Sequence, residues 1–535
     1  MPPRECCGVV GVSLQGRGAA PFLFRGLRAL QHRGQESAGI ATTSHGTMHH
    51  QKGMGLVHEI FTQELLDSLR GANGIGHVRY PTTGATDLEN AQPIIVKIRD
   101  EDAAIAHNGD IVNFERVRRR LQGQGVDLLG NADTEMMAQT IALEYGQTRD
   151  LEAAIRRACA SLVGGYAVVF LVGNRVYAFR DPLGIRPLVF GVIEGGVAVA
   201  SESVALELMG GKAVRDVEPG EVLVLERGQL THSSHIPNGG ETAHCMFEWV
   251  YFSRPDSVVD KQPVYDVRYR IGLRLAKEAP AEADIVVPVP DSARPQALGF
   301  SAGSGIPYAE ALIKSRFVER TFILPDQRRR EAEVQVKLHP VPGLLKGRRV
   351  VLLDDSIVRG TTLREIVHMV RSAGAVHVDV RVGCPPIRAP CYFGIDMKDR
   401  RQLVAHDRTE EEVAAQIGAD GVHYISIPGL VESIGLRAEE LCLGCLTGRY
   451  PVEVPEERHR FQKSLAEYRA CGRRSSWRTG RRSSSPAGTD PAPRGHSSSR
   501  RTLPRPRSDS SRWAVRSFPS DSDRSSERYP PHLGS

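Results

Sequence analysis

The sequence predicts two fused domains of different architecture, followed by a disordered tail. Residues 7–235 contain short apolar runs, such as 167–172, separated by Gly and Asp-Pro turns, which favours a β-rich layered domain. Residues 243–470 alternate strand-like runs, such as 350–353, with helix patterns, which indicates an α/β domain with a parallel sheet. Ser, Arg and Pro dominate residues 471–535, and such a composition buries too little apolar surface to offset chain entropy.

Length and charge narrow the class of protein. The chain has 535 residues, more than one hydrophobic core usually supports, and its 41% hydrophobic and 25% charged residues are typical of a globular enzyme. Residues 472–535 contain fourteen Arg, no Lys and five acidic residues, a net charge of +9 against +6 for the whole chain, so the rest carries −3. We therefore expect no nucleic-acid binding by the folded part, although the tail can bind polyanions.

The chain shows no sign of a membrane segment. It contains no uncharged apolar stretch of about eighteen residues, and its first residues lack the apolar core of a secretory signal. We expect a cytoplasmic protein with no membrane partner. In such a reducing compartment the nine cysteines favour metal binding or catalysis over a disulfide framework.

Cys7 is the first candidate catalytic residue. A cysteine at a chain terminus has an α-amino group with a pKa of about 8, which can serve as its general base. The sequence begins at Met1, so this chemistry requires cleavage of a leader, residues 1–6. The alternative is that Cys6 and Cys7 form a buried pair at the start of a strand.

Several motifs follow Cys7 in a fixed order. They are CGVVG at 7–11, LQHRGQESAGI at 30–40, GHVRYPTTG at 76–84, HNGD at 107–110, and Asp133. Together they resemble the N-terminal-nucleophile glutamine amidotransferases, and the resemblance implies a layered αββα glutaminase domain with an α+β fold. It also implies that Cys7 attacks the side-chain amide of glutamine, forms a thioester and releases ammonia.

The resemblance assigns a role to further residues of this domain. It implies that the Asn108 side chain and the Gly109 backbone N–H donate hydrogen bonds to the oxyanion intermediate, as such an intermediate requires. Arg79 and Asp133 occupy the positions that bind the carboxylate and ammonium of glutamine, and their charges suit that task. For each of these two residues the alternative is a surface ion pair. We expect Arg33 to be structural rather than catalytic.

The second candidate site lies at residues 350–362, where an apolar strand ends in two acids and a short loop leads into a helix. N–H groups at a helix start suit a phosphate, and adjacent carboxylates suit ribose hydroxyls or hydrated Mg²⁺. An ordinary turn with two exposed acids is the alternative. The segment resembles the phosphoribosyl pyrophosphate motif of type I phosphoribosyltransferases. The residues that this resemblance assigns to the ligand are Asp354, Asp355, Ser356, Arg359, Gly360, Thr361 and Thr362.

Two neighbouring segments extend this resemblance. The loop at 287–295 resembles the pyrophosphate-side loop of the same family, which implies that Ser292 joins Asp354 and Asp355 near Mg²⁺. Residues 314–341 are dense in Arg and Lys, which is typical of a mobile flap that closes over pyrophosphate and excludes water. A solvated helix face is the alternative for that segment.

Four cysteines form the third candidate site. Cys442 and Cys445 make a C-x-x-C pair, while Cys245 and Cys391 are distant in sequence. The sequence around each of these cysteines resembles that of the iron–sulfur subset of glutamine phosphoribosylpyrophosphate amidotransferases. That resemblance implies a [4Fe–4S] cluster held by four thiolates, with a structural or oxygen-sensing role. Zinc is the competing ligand for four sulfurs.

Taken together, the motifs over about residues 7–454 resemble the amidophosphoribosyltransferase family. The resemblance implies the conversion of glutamine, water and phosphoribosyl pyrophosphate into 5-phosphoribosylamine, glutamate and pyrophosphate, the first committed step of purine synthesis. It also implies Mg²⁺, a homo-oligomer of two or four chains, and feedback inhibition by purine nucleotides. Because ammonia protonates readily in water, we expect a sheltered channel between the sites when the flap closes.

Three other functions remain open from the sequence. A related glutaminase could use a sugar phosphate as acceptor, although the loop at 354–362 argues against it. A non-catalytic regulator could bind phosphoribosyl pyrophosphate and keep its leader. An iron–sulfur redox protein is a third alternative, although the sequence shows no flavin or nicotinamide loop.

Overall fold

The computed structural model describes residues 7–80, 88–126, 128, 132–237, 240–315, 338–397 and 399–455. The chain separates into two units, Met1–Gly472 and Arg473–Ser535, and every described residue belongs to the first. The predicted leader, most of the predicted flap and the predicted tail lie outside the described residues. Within the described part, no helix combines the length and the apolar character needed to cross a membrane.

The first half of the compact unit contains two antiparallel sheets. Its strands are β1 (Gly8–Leu14), β2 (Ser37–Ser44), β3 (Thr47–Met54), β4 (Asn73–Arg79), β5 (Ile94–Ile98), β6 (Glu101–Ile111), β7 (Gly164–Val172), β8 (Arg175–Arg180), β9 (Val189–Ile193), β10 (Gly196–Ala200), β11 (Lys212–Asp216), β12 (Glu221–Glu226) and β13 (Gln229–His235). One sheet has the order β11-β9-β10-β1-β4-β2-β3, and the other has the order β13-β12-β8-β7-β6-β5.

Helices cover the outer faces of these two sheets. They span Ala20–Ala29, Val57–Ile60, Gln63–Ser68, Phe114–Gly123, Asp133–Thr148, Leu151–Ser161 and Ser203–Leu208. Side chains alternate between the faces of a strand, so Val10 packs with Leu23 of the first helix, whereas Val9 packs with Val169 of the facing sheet. Tyr166 of β7 points the other way, into the core beneath the later helices. The predicted αββα layering is confirmed.

The second half is built on a parallel sheet. Its strands are β14 (His244–Cys245), β15 (Val258–Val259), β16 (Gln262–Pro263), β17 (Ile285–Pro288), β18 (Leu312–Lys314), β19 (Leu338–Pro340), β20 (Arg349–Asp354), β21 (His377–Val382), β22 (Gly421–Tyr424) and β23 (Leu441–Cys442). The central sheet has the order β17-β20-β21-β22, with all neighbouring strands parallel. The predicted α/β architecture is therefore confirmed.

Helices connect the parallel strands and extend beyond them. The α-helices of this half span Val264–Glu278, Arg294–Ser304, Pro342–Leu345, Thr361–Ser372, Glu410–Ile417, Ile427–Ile434 and Gly444–Thr447. Strands β17 and β20 are neighbours, and each leads through a short loop into a helix. Because the carboxyl ends of parallel strands meet at one edge, the loops after Pro288 and Asp354 come together there.

Buried ion pairs join the two halves. The guanidinium of Arg33, which follows the first helix, donates to Glu202 and to Glu248. Arg186 also contacts Glu248, with 3.5 Å between Nη1 and Oε1. Glu248 begins a π-helical turn, Glu248–Phe252, on the segment that connects the halves. Arg33 therefore has a structural role, because its buried guanidinium links the first half to the connecting segment.

Candidate functional site

Cys7 lies immediately before β1, where neighbouring strands hold it in place. It is buried, because β1 pairs with β4 on one side and with β10 on the other. Its sulfur donates a hydrogen bond to the carbonyl of Tyr80, with 3.8 Å between the atoms. Within the described residues no side chain is hydrogen-bonded to this sulfur, so the fold fixes the candidate nucleophile without supplying a histidine base.

Charged groups surround this thiol. Burial raises the pKa of Cys7, although the hydrogen bond to the Tyr80 carbonyl and the positive charges of Arg79 and Arg186 act against that rise. Arg79 is itself buried and donates from Nη1 to Oε2 of Glu36 over 3.0 Å. Since the thiol is therefore protonated near neutral pH, its use as a nucleophile requires a nearby proton acceptor.

The predicted oxyanion donors lie on β6. The side chain of Asn108 is buried, and its Nδ2 atom has no hydrogen-bond partner among the described residues. A buried amide without a partner is costly, which is explained if a ligand accepts its hydrogen bond. Gly109 has φ +143°, and a Cβ there would lie 1.9 Å from the carbonyl oxygen of Gly165. Only glycine can occupy that position.

Asp133 is hydrogen-bonded to the end of β6, the strand that carries these predicted donors. It begins the helix Asp133–Thr148, and its Oδ2 accepts a hydrogen bond from the backbone N–H of Ile111 over 2.8 Å. Ile111 ends β6, two residues beyond Gly109. The carboxylate therefore anchors the end of the strand that carries the predicted donors, and its predicted contact with glutamine stays a prediction.

Two buried histidines next to these groups were not predicted. Nε2 of His77 donates to the carbonyl of His107 over 3.2 Å and joins the two sheets, and Nδ1 of His107 lies 2.7 Å from Oγ1 of Thr134. Burial lowers the pKa of His107 to about 4 and also lowers the pKa of His77. Both rings are thus neutral at physiological pH. The signal was their place within the motifs at 76–84 and 107–110.

The second candidate site forms where β17 and β20 end. The Ser292 hydroxyl donates to one oxygen of Asp355, and the Ser356 hydroxyl donates to the other over 2.6 Å. The backbone N–H of Asp355 donates to Oδ1 of Asp354 over 3.0 Å. The two loops that the sequence singled out are therefore in direct contact.

Burial and mutual repulsion affect these two carboxyl groups. Burial and the charge of Asp355 raise the pKa of Asp354. Burial also raises the pKa of Asp355, against the hydrogen bonds from Ser292 and Ser356 and the charge of Arg268. Two adjacent buried carboxylates favour a bound cation, because it relieves both the repulsion and the desolvation.

These residues line a cleft of about 720 Å³. Arg28 and His32 from the first half, and Ser253 and Arg254 from the connecting segment, line it together with the second-half loops. Of the residues assigned to the sugar-phosphate ligand, those that line the cleft are Asp354, Asp355, Ser356, Gly360 and Thr362, together with Ser292.

Two of the assigned residues do not line the cleft. Arg359 donates from Nε to Oε1 of Gln402 over 2.8 Å, and Thr361 begins the helix Thr361–Ser372. Gly360 precedes that helix with φ +74°, in the left-handed region that favours glycine. The helix start thus faces the cleft through Gly360 and Thr362.

The four predicted cysteine ligands lie in one buried core. Cys245 and Cys442 are direct partners in the parallel pair of β14 and β23, and the carbonyl of Cys445 accepts hydrogen bonds from the N–H groups of residues 388 and 389. The backbone N–H of Phe393 donates to the sulfur of Cys391 over 3.4 Å. None of these thiols is in a disulfide.

The thiols affect one another. Burial, followed by the charges of neighbouring cysteines, raises the pKa of Cys445. Burial raises the pKa of Cys442 to about 12, with a contribution from Cys391. Within the described residues, no three His, Cys, Asp or Glu side chains are arranged closely enough to hold a single metal ion. A fifth buried thiol, Cys384, belongs to the same core.

Known proteins resemble the chain over both halves. Residues 81–208 match a family model described as a glutamine amidotransferase domain. The chain is 46% identical over 475 residues to the amidophosphoribosyltransferase of Methanothermobacter thermautotrophicus, which covers 88% of this chain and 98% of that relative. It is 47% identical over 467 residues to the amidophosphoribosyltransferase of Methanocaldococcus jannaschii, which covers 84% and 99%.

A solved structure extends this similarity to three dimensions. The glutamine phosphoribosylpyrophosphate amidotransferase from B. subtilis, complexed with ADP and GMP, has a TM-score of 0.79 and 40% sequence identity with the chain. The similarity covers 84% of this chain and 98% of the chain in that structure.

The state of the N-terminus can be tested directly. We expect the purified protein to begin at Cys7, because the fold provides no side-chain base for the buried thiol and a free α-amino group supplies one. Mass spectrometry with N-terminal sequencing on anaerobically purified protein measures this. A Cys7→Ala variant should keep its leader if cleavage depends on the thiol. Wild-type protein that retains Met1 would contradict the expectation.

Proposed function

The chain belongs to the amidophosphoribosyltransferase family, and we propose that Cys7 and the Asp354–Asp355 cleft carry out the two halves of its reaction. The chain transfers glutamine-derived ammonia to phosphoribosyl pyrophosphate and forms 5-phosphoribosylamine, glutamate and pyrophosphate, the first step of purine biosynthesis. The observation that carries this conclusion is 46% identity over 88% of the chain, since it spans both sites.

The first half-reaction takes place at Cys7. In the processed chain the α-amino group accepts the thiol proton as sulfur attacks the side-chain amide carbon of glutamine. The proton then passes to the amide nitrogen, which leaves as ammonia, and water hydrolyses the thioester to glutamate. The negative oxygen formed in each step accepts hydrogen bonds from the Asn108 side chain and the Gly109 N–H. The unpaired Asn108 amide supports this assignment.

Arg79 and Asp133 bind glutamine in this proposal. Arg79 lies beside Cys7, and its charge suits the α-carboxylate of the substrate. Asp133 suits the ammonium, and its bond to Ile111 gives the carboxylate a fixed position. Binding through both charges would place the side-chain amide at the sulfur.

The second half-reaction takes place in the cleft. The paired acids and the Ser292 hydroxyl are hard oxygen donors, so Asp354, Asp355 and Ser292 would hold Mg²⁺. When bound, Mg²⁺ neutralises the charge that develops on the departing pyrophosphate. Ser356, Gly360 and Thr362 bind the 5-phosphate and ribose side of the substrate at the helix start. Arg359 and Thr361 do not line the cleft, and their assignment to the ligand rests on the resemblance alone. Ammonia attacks the anomeric carbon as the bond to pyrophosphate breaks.

We propose a [4Fe–4S] cluster at Cys245, Cys391, Cys442 and Cys445. Four buried thiols outside any disulfide, with an N–H directed at one sulfur, suit the ligand chemistry of such a cluster. When bound, the cluster links β14, β23 and the segment around Cys391 as a structural group. A cytoplasmic location accompanies this assignment, because these thiols stay reduced there.

Regulation and assembly complete the proposal. The B. subtilis relative was solved with ADP and GMP, which supports purine nucleotides as feedback inhibitors of this chain as well. We also propose a homo-oligomer of two or four chains. Both features follow from the family rather than from particular residues of this sequence.

Asn108→Ala tests the glutaminase assignment. We expect the glutamine-driven rate to fall by about 10²–10³-fold, because one oxyanion donor is lost. Synthesis driven by added ammonia should stay near the wild-type rate, since it bypasses Cys7. Both rates are measured as pyrophosphate release. The matched control is Asn113→Ala, a buried asparagine of the same domain that donates to Ser161. Equal loss of both rates in Asn108→Ala would contradict the assignment.

Asp355→Asn tests the acceptor site. We expect both glutamine-driven and ammonia-driven synthesis to fall by about two orders of magnitude, because the variant removes a carboxylate that would hold the Mg²⁺ serving the leaving group. Glutamine hydrolysis should continue. Mg²⁺ titration of the remaining rate should show a higher half-saturating concentration. Asp407→Asn, at an exposed acid of the same half, serves as the control. An unchanged Mg²⁺ response would count against the site.

Cys442→Ser tests the cluster. In anaerobically purified protein we expect about four irons and four acid-labile sulfides per chain, and a marked loss of both in this variant. Cys384→Ser is the matched control, because Cys384 is buried in the same core but is not an assigned ligand. If the purified protein contains stoichiometric zinc and no iron, the four cysteines form a zinc site and the cluster assignment is wrong. Iron loss in the control would mean that the ligand set is wrong.

A further inference from the structure

The segment after Cys391 packs against the strand that carries the oxyanion donors. A Cβ built at Gly394 would lie 3.0 Å from both the Cα and the carbonyl carbon of Gly109. A Cβ at Gly165, the partner of Asp110 across β6 and β7, would lie 3.2 Å from Cβ of Phe393. The second half of the unit thus reaches the back of the glutaminase site with two consecutive residues.

A guanidinium from the first half fixes this turn. Arg186 is fully buried and donates from Nε to the carbonyl of Phe393 over 2.8 Å, and its Nη2 donates to the same oxygen. The backbone N–H of Arg186 donates to Oδ2 of Asp181 over 3.1 Å, which fixes the start of that side chain. The Phe393 carbonyl is therefore held at a set distance from the glutaminase sheet.

Gly109 has little freedom between its two neighbours. On one side, the Gly165 carbonyl would lie 1.9 Å from a Cβ at Gly109. On the other side, Gly394 approaches its Cα and carbonyl carbon, and Gly394 itself has φ +108°. The direction of the Gly109 peptide depends on both contacts, because backbone on each side blocks its rotation.

We propose that the Phe393–Gly394 turn is a positioning element for the oxyanion hole, holding the Gly109 peptide in the orientation that directs its N–H at the reacting carbonyl. This inference rests on the proposed function of Gly109. A displacement of about 1 Å misdirects such a donor, so glutamine hydrolysis depends on a turn that belongs to the other catalytic half. The acceptor site does not need this turn for its chemistry.

Gly394→Ala tests the proposal, with Gly418→Ala as the matched control. Both glycines have positive φ, but a Cβ at Gly418 has no atom within 4 Å, whereas a Cβ at Gly394 meets Gly109. For Gly394→Ala we expect glutamine kcat to fall about tenfold to a hundredfold, with glutamine KM and ammonia-driven synthesis each within about twofold of wild type. For Gly418→Ala we expect all three values within about twofold of wild type.

The outcomes separate the inference from the proposed function. Equal loss of glutamine-driven and ammonia-driven rates in Gly394→Ala, or an unchanged glutamine kcat, would overturn the inference. Wild-type protein that performs neither reaction would instead overturn the proposed function. If Gly394→Ala fails to fold, Arg186→Lys decides the question, because it keeps a positive charge beside Glu248 but removes the paired donors that hold the Phe393 carbonyl. It should lower glutamine kcat several-fold and leave ammonia-driven synthesis unchanged, and the opposite pattern would overturn the inference.

Discussion

The arrangement of the compact unit depends on one buried carboxylate, that of Glu248. It accepts hydrogen bonds from Arg33, which follows the first helix, and lies 3.5 Å from Arg186, which directs its other donors to Phe393. A carboxylate without such partners would be too costly to bury, so the two guanidinium groups must stay in place. These two arginines therefore fix the positions of the Cys7 sheet, the cleft and the cysteine core relative to one another.

The local sequence pattern predicted the strand and the helix of the proposed acceptor site. The apolar run at 350–353 became the strand Arg349–Asp354, and the helix expected after the loop at 350–362 spans Thr361–Ser372. Such elements are readable because their period, their acids and their glycine all lie within thirteen residues of sequence. Cys7 and the HNGD motif could also be recognised in the sequence, because each lies in a contiguous motif even though the residues it contacts are distant in sequence.

Partners that are far apart in sequence were not predictable. Arg186 and Gly394 are isolated residues with no periodic context, and their importance arises only because the chain returns to β6 after Cys391. The neutral state of His107 likewise requires the burial that two packed sheets provide. Propensity and spacing describe neighbours along the chain, whereas these contacts are set by how the two halves meet.

The pairing of β14 with β23 also imposes an order on biosynthesis. β14 opens the second half and carries Cys245, whereas β23 carries Cys442 and follows every other strand of the described chain. During synthesis Cys245 and Cys391 therefore emerge before Cys442, and β14 can pair with β23 only after residue 442 has been made. A chain that ends before residue 441 lacks the strand with which β14 pairs.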